Sequence, residues 1–114
     1  MSDPAVVVST TDSADEAERL ARGLVEARLA ACVQIVGPVR SVFRWAGASG
    51  ATGDDEGAVS VETEYQLVVK TARVPEVTAW IVGNHSYDVP EVIALPVTGG
   101  HEAYLTWVVD ESGG

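Results

Sequence analysis

The stretch from Asn84 to Glu91 brings a histidine, a phenol and two carboxylates into eight residues. The imidazole of His85 is a borderline metal ligand, and the carboxylate of Glu91 could complete a coordination shell. The stretch follows an apolar helix-like segment and precedes an apolar strand-like one. The sequence therefore predicts a chemically rich loop held between two core elements.

Cys32 is the single cysteine, so no disulfide can form within the chain. With His85 it could bind Cu or Zn, because a thiolate is a soft ligand. However, a free cysteine in a strand is usually a small buried hydrophobe. The chain also lacks the paired cysteine or histidine spacing typical of metal motifs. Both interpretations of Cys32 stay open.

The residues around His85 also have structural interpretations. The His85 ring could cap the preceding helix or bond a neighbouring backbone, or it could line a cleft between subunits. Tyr87 can pack its ring while its hydroxyl finds a partner. Glu91 could pair with Lys70 or Arg73 rather than with a metal.

Composition narrows the class of protein. The chain has 114 residues and 46% hydrophobic residues, which suits one globular domain spanning 1–114. Its net charge of −10 disfavours nucleic acid and anionic membranes as partners. No signal peptide or membrane span is recognised, which predicts a cytoplasmic protein. No nucleophile elbow or phosphate-binding loop is visible, so neither an enzyme nor an organic cofactor is expected.

Hydrophobic periodicity predicts an α+β fold with the order βαββαβ, a ferredoxin-like sandwich, followed by a short C-terminal helix. A helix is expected from about Ser13 to Arg28, because Ser13 and Glu16 have capping-box spacing. A long hairpin should join the second and third strands, with a bulge at Gly37-Pro38. Residues 110–114 are predicted to fray.

A glycine-rich stretch at about 47–58 interrupts the hairpin and is predicted to be a flexible loop. Its acidic run, Asp54-Asp55-Glu56, is interpreted as a solvated loop tip.

Several stretches together resemble the CutA family, the divalent-cation tolerance proteins. They lie in the family's order and cover nearly the whole chain: Leu29-Ala30-Ala31-Cys32-Val33, Ser41-Val42-Phe43-Arg44-Trp45-Ala46-Gly47, Lys70-Thr71, His85-Ser86-Tyr87-Asp88-Val89-Pro90-Glu91 and Tyr104-Leu105-Thr106-Trp107. The resemblance implies a tight homotrimer in the bacterial cytoplasm, linked to copper and other divalent metals, and a likeness to PII signalling trimers.

By the chemistry of their side chains, Cys32, His85 and Glu91 are the candidate metal ligands. Five further residues are expected to line a ligand cleft or the subunit interface: Trp45, Lys70, Tyr87, Tyr104 and Trp107. The chain departs from the family at Ser86, where the family usually has proline, and at the insertion of about 47–58.

Three hypotheses follow. The first is a trimeric metal-tolerance protein that binds metal through Cys32, His85 and nearby oxygens. The second is a PII-like signalling trimer that binds a small ligand between subunits and regulates a partner protein. The third is a structural hub without a site of its own. The resemblance favours the first.

Overall fold

The structure, a computed structural model, describes residues 3–44 and 58–113. The elements follow the predicted order, strand, helix, strand, strand, helix, strand, and end with a helix. Their bounds are β1 Ala5–Thr11, α1 Ala14–Glu26, β2 Cys32–Arg44, β3 Val59–Thr71, α2 Val74–Asn84, β4 Val92–Pro96 and α3 Glu102–Glu111. Trp45, the acidic run 54–56 and most of the predicted loop lie outside the described residues.

The four strands form one antiparallel sheet in the order β2-β3-β1-β4. This order confirms the α+β class predicted from periodicity. The long β2–β3 pairing also contains the predicted bulge, because its register shifts between Val36 and Val39. A side chain at Gly37 would collide there, since its Cβ would lie 2.8 Å from a ring carbon of Tyr65.

Helices α1 and α2 pack on one face of the sheet and form the core with it. Leu20 and Leu24 of α1 and Ile81 of α2 are fully buried, because helical spacing turns them toward the strands. Val7, Leu67 and Val69 meet them from β1 and β3.

The opposite face of the sheet carries aliphatic side chains among polar ones, and several of the aliphatic side chains are exposed. Strand alternation and register place six aliphatic side chains there, which we call the open face: Val6, Val8, Val36, Val68, Ile93 and Leu95. Ile93 is 51% exposed and Leu95 is 49% exposed. Monomeric proteins rarely leave a continuous apolar sheet face in water.

The predicted fraying of residues 110–114 is wrong for residues 110–113, because α3 continues to Glu111 and Ser112 is fully buried. The Ser112 hydroxyl accepts a hydrogen bond from Ala72 N–H at 3.0 Å and donates one to the Val108 carbonyl at 2.6 Å. These bonds tie the end of the helix to the segment after β3. Gly114 lies outside the described residues.

Replacing Leu24 tests the core. We expect Leu24→Ala to lower the free energy of unfolding by about 2–5 kcal/mol, because it leaves a cavity beneath α1. Val25→Ala is the matched control, since Val25 is 42% exposed on the same helix. Denaturant unfolding measures both variants. Equal losses would contradict the assigned buried face of α1.

Candidate functional site

The candidate site lies where the loop between α2 and β4 crosses the end of β1. Helix α2 ends at Asn84, and His85 occupies its C-cap position in an extended conformation. Arg19 of α1 donates a hydrogen bond to the Asn84 carbonyl at 2.9 Å. Helix α1 therefore fixes the position of the last residue of α2, where the loop that contains His85 begins.

Both ring nitrogens of His85 have partners. Nε2 lies 2.7 Å from the Thr10 carbonyl, and Nδ1 accepts a hydrogen bond from Tyr87 N–H at 3.0 Å. Because a carbonyl only accepts, these contacts assign the proton of a neutral imidazole to Nε2. The prediction that His85 bonds a neighbouring backbone is confirmed, and a metal ligated by either nitrogen would have to replace one of these bonds.

Glu91 reaches the same residue of β1 from the other end of the loop. The Thr10 hydroxyl donates to a Glu91 carboxylate oxygen at 3.3 Å, and the Glu91 residue is exposed. Two of the three predicted metal ligands, His85 and Glu91, therefore converge on Thr10.

Tyr87 crosses the end of β1 to reach β3. Its hydroxyl donates to Glu64 at 2.8 Å, and the two rings of Tyr87 and His85 lie 4.7 Å apart. Burial and the neighbouring Glu64 carboxylate raise the pKa of the Tyr87 phenol. Glu64 is only 9% exposed, because Tyr87 of this loop reaches over it.

Glu16 supports the loop from α1. Its carboxylate accepts hydrogen bonds from Thr11, from Ser86 N–H at 2.8 Å and from the Ser86 hydroxyl at 2.7 Å. Burial alone would raise the pKa of Glu16, but the hydrogen bonds from Thr11 and Ser86 lower it overall. Glu16 is thus held as a carboxylate between β1 and the loop.

Cys32 lies elsewhere on the sheet. It pairs with Lys70, which pairs with Val6, whereas Thr10 is four residues further along β1. Strand geometry therefore separates Cys32 from Thr10 by about 13 Å along the strands and about 10 Å across them. Within one chain, the structure does not bring Cys32 to His85 and Glu91. Among residues 3–44 and 58–113, no group of three His, Cys, Asp or Glu residues could hold a metal ion.

The described residues that were predicted to line a ligand cleft or the subunit interface lie in two places, near Cys32 and in the His85 loop. Lys70 donates a hydrogen bond to Gln34 at 2.7 Å, beside Cys32 on the open side of the sheet. Burial and the nearby Cys32 raise the pKa of the Tyr104 phenol. Tyr104 and Trp107 are each 42% exposed, and their rings lie 5.5 Å apart. Tyr87 instead belongs to the His85 loop.

Sequence reasoning missed the polar residues that hold the loop: Thr10, Thr11, Glu16 and Glu64. Only Glu16 carried a signal, its capping-box spacing from Ser13, and Glu16 N–H does bond the Ser13 hydroxyl at 3.1 Å. The contacts of its carboxylate with β1 and the loop are tertiary, so local spacing does not indicate them.

Residues 5–111 match the family model described as CutA1 divalent ion tolerance protein. The chain belongs to this family. It is 37% identical to the divalent-cation tolerance protein CutA of Thermus thermophilus over 110 residues, which cover 95% of this chain and 97% of that one. It is 42% identical to the chloroplastic CutA protein of Arabidopsis thaliana over 92% of this chain, but it spans about half the length of that relative (54%).

Solved CutA1 structures share the fold. The protein from Shewanella sp. SIB1 superposes with a TM-score of 0.84 at 33% identity, covering 99% of this chain and 98% of that one. The rice protein superposes with a TM-score of 0.83 at 37% identity, covering 96% and 94%. The family resemblance found in the sequence motifs is therefore confirmed.

The lowered pKa of Glu16 predicts that the free energy of unfolding depends on pH. A carboxylate whose pKa is lower in the folded state stabilises the fold above its unfolded pKa, near 4.5, and loses this contribution as pH falls through the folded pKa. We expect Glu16→Gln to lower the free energy of unfolding by about 1–3 kcal/mol at pH 7, because charged hydrogen bonds are lost. Denaturant unfolding at several pH values should show this difference narrowing below pH 4.5.

Glu18→Gln is the control of equal charge. Glu18 lies on the exposed face of α1 and pairs with Arg22, so its loss should cost about 0.5 kcal/mol or less. A stability difference between Glu16→Gln and wild type that stays constant from pH 7 to pH 3 would contradict the account of Glu16.

Proposed function

We propose that this CutA protein acts in divalent-cation tolerance as a homotrimer that binds a metal ion, Cu or Zn, and is not an enzyme. The observation that supports metal binding most directly is the convergence of His85 and Glu91 on Thr10. The imidazole and the carboxylate there supply a nitrogen donor and an oxygen donor for a metal ion. The description of the family also names divalent ions.

The trimer is supported by the uncovered surfaces of the sheet. The open face leaves aliphatic side chains in contact with water in a single chain, and β2 and β4 are both edge strands. Edge strands and apolar faces are normally covered, and closed cyclic assemblies cover them symmetrically. Three copies would bury these surfaces without leaving a free edge.

Assembly also bears on the metal ligands. Because Cys32 lies far from His85 within one chain, a site that uses both needs Cys32 from a neighbouring subunit. The donors suit a soft or borderline ion, since thiolate and imidazole select Cu and Zn over Mg and Ca. No organic cofactor is part of the proposal.

We keep the cytoplasm as the proposed location. This location is what the family resemblance implies. Separately, none of the helices within residues 3–44 and 58–113 has the length and apolar character of a membrane span. Some relatives carry other locations in their names, such as the chloroplastic Arabidopsis protein and the periplasmic Archaeoglobus fulgidus protein.

Metal titration tests the proposed function. We expect calorimetry with Zn(II), and with Cu(I) under reducing conditions, to show binding whose affinity rises from about pH 5.5 to 8. Protons compete for both ligands, because the thiolate must form and the imidazole must be neutral.

The variants Cys32→Ser and His85→Ala should each weaken this binding while keeping the wild-type assembly. His101→Ala is a matched control, because His101 lies outside the proposed ligand set. If both test variants bind metal as the wild type does, these residues have structural roles and the metal proposal fails. Nucleotides or small anions that raise the melting temperature would instead favour the PII-like alternative.

A further inference from the structure

Ser86 is tied to Glu16 by two hydrogen bonds that use both carboxylate oxygens. Ser86 N–H donates to Oε2 at 2.8 Å, and the Ser86 hydroxyl donates to Oε1 at 2.7 Å. Thr11 also donates to Oε1, and Arg19 donates to Oε2 at 3.1 Å. Each oxygen therefore has two donors, and the carboxylate joins β1, α1 and the loop.

This tie controls the surroundings of His85 because Ser86 lies between His85 and Tyr87. Holding Ser86 against α1 sets the turn that places Tyr87 N–H on His85 Nδ1. The same turn leaves Nε2 against the Thr10 carbonyl. In this closed arrangement neither ring nitrogen is free for a metal.

Much of the loop around this pair is exposed. Ser86, Asp88 and Val89 are exposed, and Val89 is 65% exposed. Segments with few buried apolar contacts and exposed hydrogen bonds open at low free-energy cost. The Glu16–Ser86 pair is a charge-assisted contact of this loop, as is the Tyr87 hydroxyl on Glu64, and such contacts are stronger than neutral hydrogen bonds.

We propose that Glu16 and Ser86 form a latch that holds the His85 loop closed, and that opening the latch frees a His85 nitrogen for a divalent cation. Glu16 is a positioning residue in this arrangement, because it acts through Ser86 and does not bind the cation itself. The second half of the proposal rests on the proposed function, whereas the latch itself does not.

Metal-free protein tests the latch. We expect amide hydrogen exchange at Tyr87 to be about tenfold faster in Glu16→Gln than in Glu18→Gln, because the charged acceptor is lost. Ser86→Ala keeps the amide donor and should show a smaller increase. The imidazole nitrogen shifts of His85 should move in the same order, since the Nδ1 acceptor bond opens with the loop.

Unchanged Tyr87 exchange and unchanged His85 nitrogen shifts in Glu16→Gln would overturn the latch. Tyr87 exchange in Ser86→Ala that is no faster than in Glu18→Gln would overturn the part of the Ser86 hydroxyl in the latch.

Zn(II) titration tests the gating step separately. We expect Glu16→Gln to bind Zn(II) several-fold more tightly than Glu18→Gln, because opening the loop to free a His85 nitrogen costs less free energy. Glu18→Gln is the control, since the two variants have the same net charge. Equal or weaker binding overturns the gating. If the exchange result holds but wild-type Zn(II) binding does not depend on His85, the latch stands and the proposed function fails.

Discussion

The architecture depends on one constraint: the sheet has its two long helices on the same face. Leu20, Leu24 and Ile81 fill that side, so the hydrophobic core of a single chain is complete there. The other side exposes Ile93 and Leu95 with no core of their own. Hydrophobic burial contributes about 25 cal/mol per Å² of apolar surface. Covering this side would therefore stabilise the protein.

The same arrangement creates the polar site. Strand β1 is shorter than β3, so the loop from α2 to β4 crosses the end of β1 and places Tyr87 on Glu64. The backbone of Thr10 and the carboxylate of Glu16 then become the fixed points of the loop. The polar groups of the loop are paired within the chain. The aliphatic side chains of the open face are not covered within it.

Periodicity predicted most of the fold, because alternation in β3 and helical spacing in α1 reflect burial that each element imposes on its own residues. It did not predict the burial of Glu64, since that depends on a loop distant in sequence. The buried end of α3 was missed because the contact of Ser112 with Ala72 is tertiary. For the candidate site, His85 and Glu91 were proposed from residue type alone. Their shared contact with Thr10 depends on three-dimensional packing, which no local spacing in the sequence indicates.

The most direct test of the central claim is the mass of the protein in solution at micromolar concentration. Sedimentation equilibrium should give three times the 11.9 kDa chain mass for the wild type. Ile93→Lys should shift the mass toward the monomer, because it places a charge on the open face. Val82→Lys should not, although Val82 is similarly exposed at 52% on α2. A wild-type monomer, or an Ile93→Lys variant with an unchanged trimer mass, would contradict the claim that other subunits cover this face.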